Sequence, residues 1–225
     1  MRNDRYAATY PEVAWGAGMS QRVFDTRVLP LFGMGLLLTG IVSYIARGLP
    51  NGIALAAGLV AFVMAWTSGK WMRSENHALN FGLFFFFSAL CGMMLVPLLR
   101  WAAAIGGGML ITQAFAVTGI TFGGLMAVGL VVNKDFSKWG RFLLIAVLGL
   151  IVASVVNIFI GGSIMALVTS MIGVLIFSAF VLFNMSMIRH HLSDQDFMLA
   201  ALMLYINFLN MFQNILVILG IMRSD

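Results

Sequence analysis

The stretch "FLLIAVLGLIVASVVNIFIGGSIMALVTSMIGVLIFSAFVLFNMSMI", residues 142–188, contains no charged side chain and is interrupted only by Gly161-Gly162. Each half is about 20 residues long, the length that an α-helix needs to cross roughly 30 Å of hydrocarbon. The apolar residues are continuous rather than alternating with polar ones, which predicts helices and not the strands of a barrel. Because so few residues join the two helices, they should form an antiparallel hairpin.

The same pattern recurs along the chain, which is 61% hydrophobic and only 9% charged, against roughly a quarter charged in soluble domains. Seven apolar segments are separated by turn residues or charges, at 28–46, 51–68, 79–99, 105–132, 140–160, 163–188 and 198–222. We therefore predict an all-α polytopic membrane protein, a bundle of seven transmembrane helices. A basic N-terminal tail over 1–27 precedes the helical domain at 28–222, and a short tail over 223–225 follows it.

Lysine and arginine residues orient this arrangement, because they are retained on the cytoplasmic side of short loops. Ten of them fall on the side of the N-terminus and three on the other. The first group is Arg2, Arg5, Arg22, Arg27, Lys70, Arg73, Lys134, Lys138, Arg141 and Arg189, and the second is Arg47, Arg100 and Arg223. The N-terminus is predicted inside and the C-terminus outside. The tail has no apolar core of its own, so we expect the first helix to be retained as a signal-anchor.

Several classes of function are disfavoured. The net charge of +5 is spread singly between apolar runs, so nucleic acid is not an expected partner. The segments contain no lysine for a retinal Schiff base, and no aspartate pair, Ser–Lys pair or HExxH helix for proteolysis. The loop containing His190-His191, Asp194 and Asp196 matches no closed zinc geometry. We expect no enzymatic activity, no cofactor and no metal centre.

Polar side chains inside the apolar segments are the candidate functional residues, since each must find a partner in hydrocarbon. The last segment carries three asparagines, Asn207, Asn210 and Asn214, at i, i+3 and i+7, which places them on one helical face. Gln213 lies to one side of that face. The face is predicted to point into the bundle.

Two further asparagines precede this stripe. Asn184 lies in the sixth segment, and Asn157 lies near the end of the fifth. Because a short loop joins the sixth and seventh segments, Asn184 and Asn207 are expected to meet across a helix pair. Two interpretations remain open: the amides tie helices together by interhelical hydrogen bonds, or they line a polar path for ions.

Two stretches carry a family resemblance, "FSAFVLFNMSMIRHHL" at 177–192 and "LMLYINFLNMFQNILVILG" at 202–220. They resemble the closing two spans of the Bax inhibitor-1 (transmembrane Bax-inhibitor-motif) family, including its bacterial YccA-like members. The resemblance implies seven helices with one central helix wrapped by the others. It also implies a calcium or proton leak across membranes, suppression of cell death and, in some bacterial members, restraint of an FtsH-type AAA protease.

The sequence departs from that family at one pair of positions. Calcium-leak members have two aspartates that sense pH, and the matching positions here are Asn184 and Asn207. Two carboxylates share a proton, whereas two amides are expected to hydrogen-bond at every physiological pH. The resulting prediction is a calcium or cation leak protein of the bacterial inner membrane with altered pH sensing. The alternative is a non-conducting regulator that binds a membrane partner such as an FtsH-type AAA protease.

Overall fold

The computed structural model describes residues 18–72, 76–132 and 134–224, without the side chains of His77 and Ile158. Residues 1–17 of the predicted tail therefore lie outside the described chain. The described ranges are helical and contain no strand, with six helices long and apolar enough to cross a membrane. These are α1 (Gln21–Gly48), α2 (Asn51–Trp71), α3 (His77–Val131), α4 (Gly140–Ile160), α5 (Ser163–His190) and α6 (Phe197–Ser224). The prediction of an all-α membrane protein is confirmed.

The breaks between helices occur at the predicted turn residues. Gly161 and Gly162, with φ angles of 71° and 124°, end α4 in a conformation that glycine adopts without steric cost. The side chain of Asn76 accepts a hydrogen bond from the N–H of Leu79 and caps α3. Before α6, Ser193 and Asp196 form a reciprocal capping box. These caps and glycines, with short 3₁₀ turns at Ser137–Trp139 and Asp194–Asp196, hold the ends of the helices in place.

The first helix begins inside the basic segment that precedes the first apolar run. Ser20 caps it, and residues Phe24–Val28 form a π-helical turn before the regular α-helix continues from Leu29. Pro30 lacks an N–H, and its ring would clash with the carbonyl of residue 26 in an uninterrupted α-helix. We attribute the wider turn to this proline, because π-turns relax the hydrogen-bond ladder locally.

The longest helical stretch, α3, folds back on itself. A straight helix of its 55 residues would extend about 80 Å, but Gly107 inside it has non-helical angles of φ 64° and ψ −163°. Phe81 near its start packs on Phe197, the first residue of α6, with ring centroids 6.2 Å apart. The carbonyl of Gly129 near its end accepts a hydrogen bond from Arg189, in the last turn of α5. Both ends of α3 therefore lie at the same end of the bundle.

The last helix is the core of the molecule. It packs against α5, α3 and α1, whereas α2 packs chiefly on α3, and α4 chiefly on α5. In its most apolar stretch 56% of the residues are buried, against 6% in α4. Glycines allow close approach around it: a Cβ at Gly220 would lie 2.4 Å from the Trp101 ring, and one at Gly92 would lie 2.7 Å from the carbonyl of Thr39. Small residues serve this purpose in hydrocarbon, where no hydrophobic effect drives helices together.

Candidate functional site

Most of the predicted site residues lie along α6, and a second group of polar residues lies at one end of the bundle. We call the end that contains the last turn of α5 and the start of α6 the Arg189 end. The opposite end, where Trp101 packs on Gly220, is the Trp101 end. All of the predicted site residues except Asn157 lie on α5 or α6.

Asn184 and Asn207 are brought to the same turn of α6 but do not form the expected amide–amide hydrogen bond. Nδ2 of Asn184 donates to the backbone carbonyl of Met203 at 3.2 Å. In an α-helix the carbonyl of residue 203 is also the acceptor for the N–H of residue 207. Both side chains are 4% exposed, and Nδ2 of Asn207 has no hydrogen-bond partner among the described residues. At this junction the Asn184 amide is therefore bonded to the backbone of α6, whereas the Nδ2 group of Asn207 is bonded to none of the described residues.

The asparagine stripe continues along α6 with a different bonding pattern. Nδ2 of Asn210 donates to the carbonyl of Ile206, and Nδ2 of Asn214 donates to the carbonyl of Asn210, both at 2.8 Å. Each amide is thus turned back onto its own helix, which directs its Oδ1 atom away from that helix. A Cβ at Gly173 on α5 would lie 2.4 Å from Oδ1 of Asn214, so this oxygen faces α5 directly.

The two weaker candidates occupy different positions. Gln213 is half-buried on α6, next to Asn214 and off the stripe. Asn157 lies near the end of α4, an outer helix that packs chiefly on α5, and its buried Oδ1 atom has no hydrogen-bond partner in the described chain. The structure does not bring Asn157 to the amides of α6.

A second buried polar cluster joins α1, α3 and α6 through Tyr205. The Tyr205 hydroxyl lies 2.5 Å from Oγ1 of Thr39, which in turn lies 3.0 Å from the backbone carbonyl of Ser88. The Tyr205 ring is fully buried and packs edge-on against Phe84 and Phe87. Interhelical hydrogen bonds of this kind contribute about 0.6 kcal/mol each, so the cluster fixes three helices around the aromatic contact.

Arg189 is the buried charge of the described chain. It is 2% exposed, and its Nη1 group donates to the carbonyls of Gly129, Leu130 and Val132 at 3.1, 2.7 and 3.4 Å. These are the orphan carbonyls at the end of α3, where the helix dipole favours a cation. The side chain thus joins the end of α5 to the end of α3.

The same turn of α5 receives the start of the described chain. The N–H groups of Gly18 and Met19 donate to the carbonyls of Arg189 and Ile188, at 3.1 and 3.0 Å. A Cβ at Gly18 would lie 2.6 Å from the Arg189 carbonyl, so glycine permits this approach. Ser20 then binds Asp194 through its N–H and its hydroxyl, at 2.7 and 3.0 Å. Arg189 is therefore covered by a backbone strap.

The loop between α3 and α4 forms a polar latch on α5. Oδ1 of Asp135 accepts from the N–H of Ser137 at 2.8 Å and from the hydroxyl of Ser186 at 3.2 Å, and its Oδ2 lies 3.2 Å from Nε2 of His191. The Ser137 N–H and hydroxyl, followed by His191 and Ser186, hold the pKa of the Asp135 carboxyl well below its ordinary value of 3.8. The carboxylate therefore stays charged near neutral pH.

Within the described ranges, no three His, Cys, Asp or Glu side chains are grouped closely enough to hold a metal ion. The polar atoms along α6 are amide, hydroxyl and carbonyl groups. Such groups orient water or coordinate a hard cation, and they do not exchange protons near neutral pH.

Sequence analysis missed Arg189 and the Tyr205 cluster as parts of the site. Arg189 was counted only as an orientation signal, because its carbonyl partners are about 60 residues away in the chain. One signal was present: an arginine immediately after an apolar run, at the point where a helix ends, is placed to bond the carbonyls of neighbouring helix ends.

Comparison with known proteins identifies one family. The model of the family described as "Inhibitor of apoptosis-promoting Bax1" (Bax1-I) matches residues 21–224, nearly the whole described chain. The match begins at the first residue of α1 and ends at the last residue of α6.

Three bacterial relatives share this similarity over most of their length. An uncharacterized membrane protein of Vibrio cholerae is 35% identical over 76% of this chain and 73% of its own. An uncharacterized protein of Deinococcus radiodurans is 34% identical over 85% of this chain and 87% of its own. An uncharacterized membrane protein of Streptococcus pyogenes is 28% identical over 99% of this chain and 100% of its own.

Replacing Arg189→Met should lower the free energy of unfolding by about 2–3 kcal/mol, because charge-assisted hydrogen bonds to the carbonyls at the end of α3 are lost. Thermal unfolding in detergent measures the change. Arg189→Lys retains the charge and should lose less. The matched control is Arg141→Met, since Arg141 is an exposed arginine at the start of α4. Equal midpoints for Arg189→Met and Arg141→Met would show that the buried guanidinium does not hold the two helix ends together.

The latch predicts a pH dependence of stability with a definite sign. Because the pKa of Asp135 is lower in the folded chain than its ordinary 3.8, its contribution is complete above 3.8 and is lost as pH falls through the folded value. The stability difference between the parent and Asp135→Asn should stay constant from about pH 7 to pH 5 and shrink below about pH 4. Unfolding midpoints should be compared in a His191→Gln background, which removes the imidazole that contacts Oδ2 of Asp135. A difference that grows as pH falls to 3 would refute this assignment.

Proposed function

Since the chain belongs to the Bax inhibitor-1 family of membrane proteins, we propose that it is a cation-leak protein of the bacterial inner membrane whose path has lost its proton switch. The observation that carries this proposal is the buried Nδ2 group of Asn207 on the central helix, which has no hydrogen-bond partner among the described residues. An unpaired buried polar group costs about 1–3 kcal/mol, and native structures seldom retain one without a use.

A path for a cation along α6 is supported by the stripe of amides. From Asn207 to Asn214 the stripe extends about 10 Å, one third of the hydrocarbon thickness. The amide nitrogens of Asn210 and Asn214 are bonded to backbone carbonyls, so their Oδ1 atoms are the groups turned toward neighbouring helices. Oxygen atoms of this type are ligands for Ca²⁺ and other hard cations. Calcium is the first cation to test.

The structure corresponds, in this proposal, to the closed form of the path. The absence of a side chain at Gly173 lets α5 approach Asn214, where a Cβ would lie 2.4 Å from Oδ1. Opening therefore requires a relative movement of α5 and α6. At the Arg189 end, the bond from Asn184 to the Met203 carbonyl holds these same helices together.

The loss of proton sensing follows from the chemistry of the two residues. Two buried carboxylates at positions 184 and 207 would repel one another when both were charged and would share a proton at lower pH. Two amides do neither. The amide junction should therefore make no pH-dependent contribution to opening of the path.

We also propose seven membrane crossings, with the N-terminus inside and the C-terminus outside. The fold-back of α3 at Gly107 supports two crossings within that helix, because its first and last turns both contact the Arg189 end. The Arg189 end also contains Arg22, Lys134 and Lys138, which agrees with a cytoplasmic location. Labelling of single cysteines placed at Ser137 and Ser224 from each side of the membrane tests the assignment.

The central prediction concerns calcium flux into liposomes at about pH 6 and pH 8. The parent protein should leak equally at both values. The double change Asn184→Asp with Asn207→Asp should leak about tenfold more at pH 8, where both carboxylates are charged, than at pH 6, where they share a proton. At an effective dielectric constant of 20, two like charges within about 10 Å of one another repel by more than about 1.4 kcal/mol, which shifts a population tenfold.

The matched control is Asn157→Asp, the same chemical change on the outer helix α4. It should leave both fluxes at the parent value. The leak function would be rejected if neither the parent nor these variants showed any calcium, potassium or proton flux at either pH. A tenfold pH effect in Asn157→Asp alone would place the path elsewhere.

A second candidate function is binding of a membrane partner, such as an FtsH-type AAA protease. The specific observation is α4, whose most apolar stretch is only 6% buried and which packs chiefly on α5. A helix with so little of its surface covered offers a large face to another membrane protein.

Photo-crosslinking in native membranes tests this second candidate. A photoreactive residue at Val152 on α4, 62% exposed, should give an adduct with a discrete membrane protein, which mass spectrometry identifies. Leu59 on α2, 61% exposed, is the matched control position and should yield lipid adducts. Removal of residues 2–17 tests the tail without disturbing Met19 and Phe24, which are buried in the core. Only lipid adducts at Val152 would argue against a partner on α4.

A further inference from the structure

A groove of about 520 Å³ lies at the Arg189 end, between the start of α1 and the start of α6. This volume is in the range of sites that bind small ligands. One side of the groove is apolar, and the rim at the end of the bundle is charged. None of the asparagines of the amide stripe lines this groove.

The rim holds one cation and one anion in fixed positions. The guanidinium of Arg27 lies 5.3 Å from the ring centroid of Phe197, a cation–π contact that restrains the side chain. The carboxylate of Asp194 is bound by the N–H and the hydroxyl of Ser20. Both charged side chains are exposed, and both line the groove. A ligand at the rim therefore meets a positive and a negative group.

The wall below the rim is apolar and runs into the membrane-spanning part of α1. Pro30, Leu31 and Met34 line it from α1, and Phe81 lines it from α3. From Arg27 to Met34 the wall extends about 10 Å along the helix, enough for the first half of an acyl chain. Met34 is 46% exposed, so the wall is accessible from the side of the bundle that faces hydrocarbon.

We propose that this groove binds a zwitterionic phospholipid with a primary ammonium headgroup, of the phosphatidylethanolamine type. Its phosphate contacts the Arg27 guanidinium, its ammonium donates to the Asp194 carboxylate, and one acyl chain lies along Pro30 and Met34. The charge pattern selects this class. Phosphatidylglycerol supplies no cation for Asp194, and the quaternary ammonium of phosphatidylcholine has no N–H to donate.

The test is native mass spectrometry of the purified chain, exchanged into micelles with defined amounts of phosphatidylethanolamine, phosphatidylglycerol or phosphatidylcholine. The parent should retain phosphatidylethanolamine about two- to fivefold more than either competitor, the scale of an exposed ion pair. Asp194→Asn should remove the preference over phosphatidylglycerol. Arg27→Gln should lower retention of all three lipids, because each carries a phosphate.

Two matched controls separate a site from a charged surface. Arg22 and Asp25 are exposed residues near Arg27 on α1, and neither lines the groove. Arg22→Gln and Asp25→Asn should therefore both behave as the parent. Equal retention of the three lipids by the parent would overturn the proposal. A loss in Arg22→Gln as large as that in Arg27→Gln would also overturn it.

A photoreactive residue at Met34 identifies the occupant directly. In membranes that contain phosphatidylethanolamine and phosphatidylglycerol, the expected product is an adduct of the chain with phosphatidylethanolamine. A chain–chain adduct would mean that a second copy fills the groove, and an adduct with residues 1–17 would mean that the tail does. Either result would reject the lipid assignment.

Discussion

A buried backbone carbonyl has no water to bond, and the end of α3 shows how this chain meets that constraint. Val131 ends the helix, and the carbonyls of Gly129, Leu130 and Val132 accept hydrogen bonds from the buried guanidinium of Arg189. The arrangement requires the end of α5 to lie against the end of α3. The strap at Gly18 and Met19 and the loop around Asp135 bind to the same end of α5.

Much of the fold was predictable because membrane helices can be identified from hydropathy along the sequence alone. Continuous apolar runs give their lengths, and glycines such as Gly161 and Gly162 give the turns between them. The asparagine face of α6 was predictable for the same reason, since helical periodicity alone places Asn207, Asn210 and Asn214 together. Each of these features depends only on residues that are close together in the sequence, within a few turns of one helix.

The bonding partners were not predictable, because they depend on which helices meet. Thr39 and Tyr205 are 166 residues apart, and nothing near either residue indicates the other. Asn184 and Asn207 do reach one turn of α6, but the amide of Asn184 binds the Met203 carbonyl instead of its expected partner. A backbone carbonyl is present at every turn of a helix, so it competes with any side chain for a nearby donor.

The π-turn at Phe24–Val28 affects how the start of this chain can vary in length. Such a turn accommodates one residue more than a regular turn of helix. Loss of a single residue there, together with replacement of Pro30, would convert the turn to ordinary helix and leave the membrane-spanning part of α1 in its present rotation against α3 and α6. The same deletion within the regular part would rotate every preceding side chain by about 100°. The start of α1 is therefore a place where the chain can absorb the loss of one residue without repacking the bundle, provided that Pro30 is replaced as well.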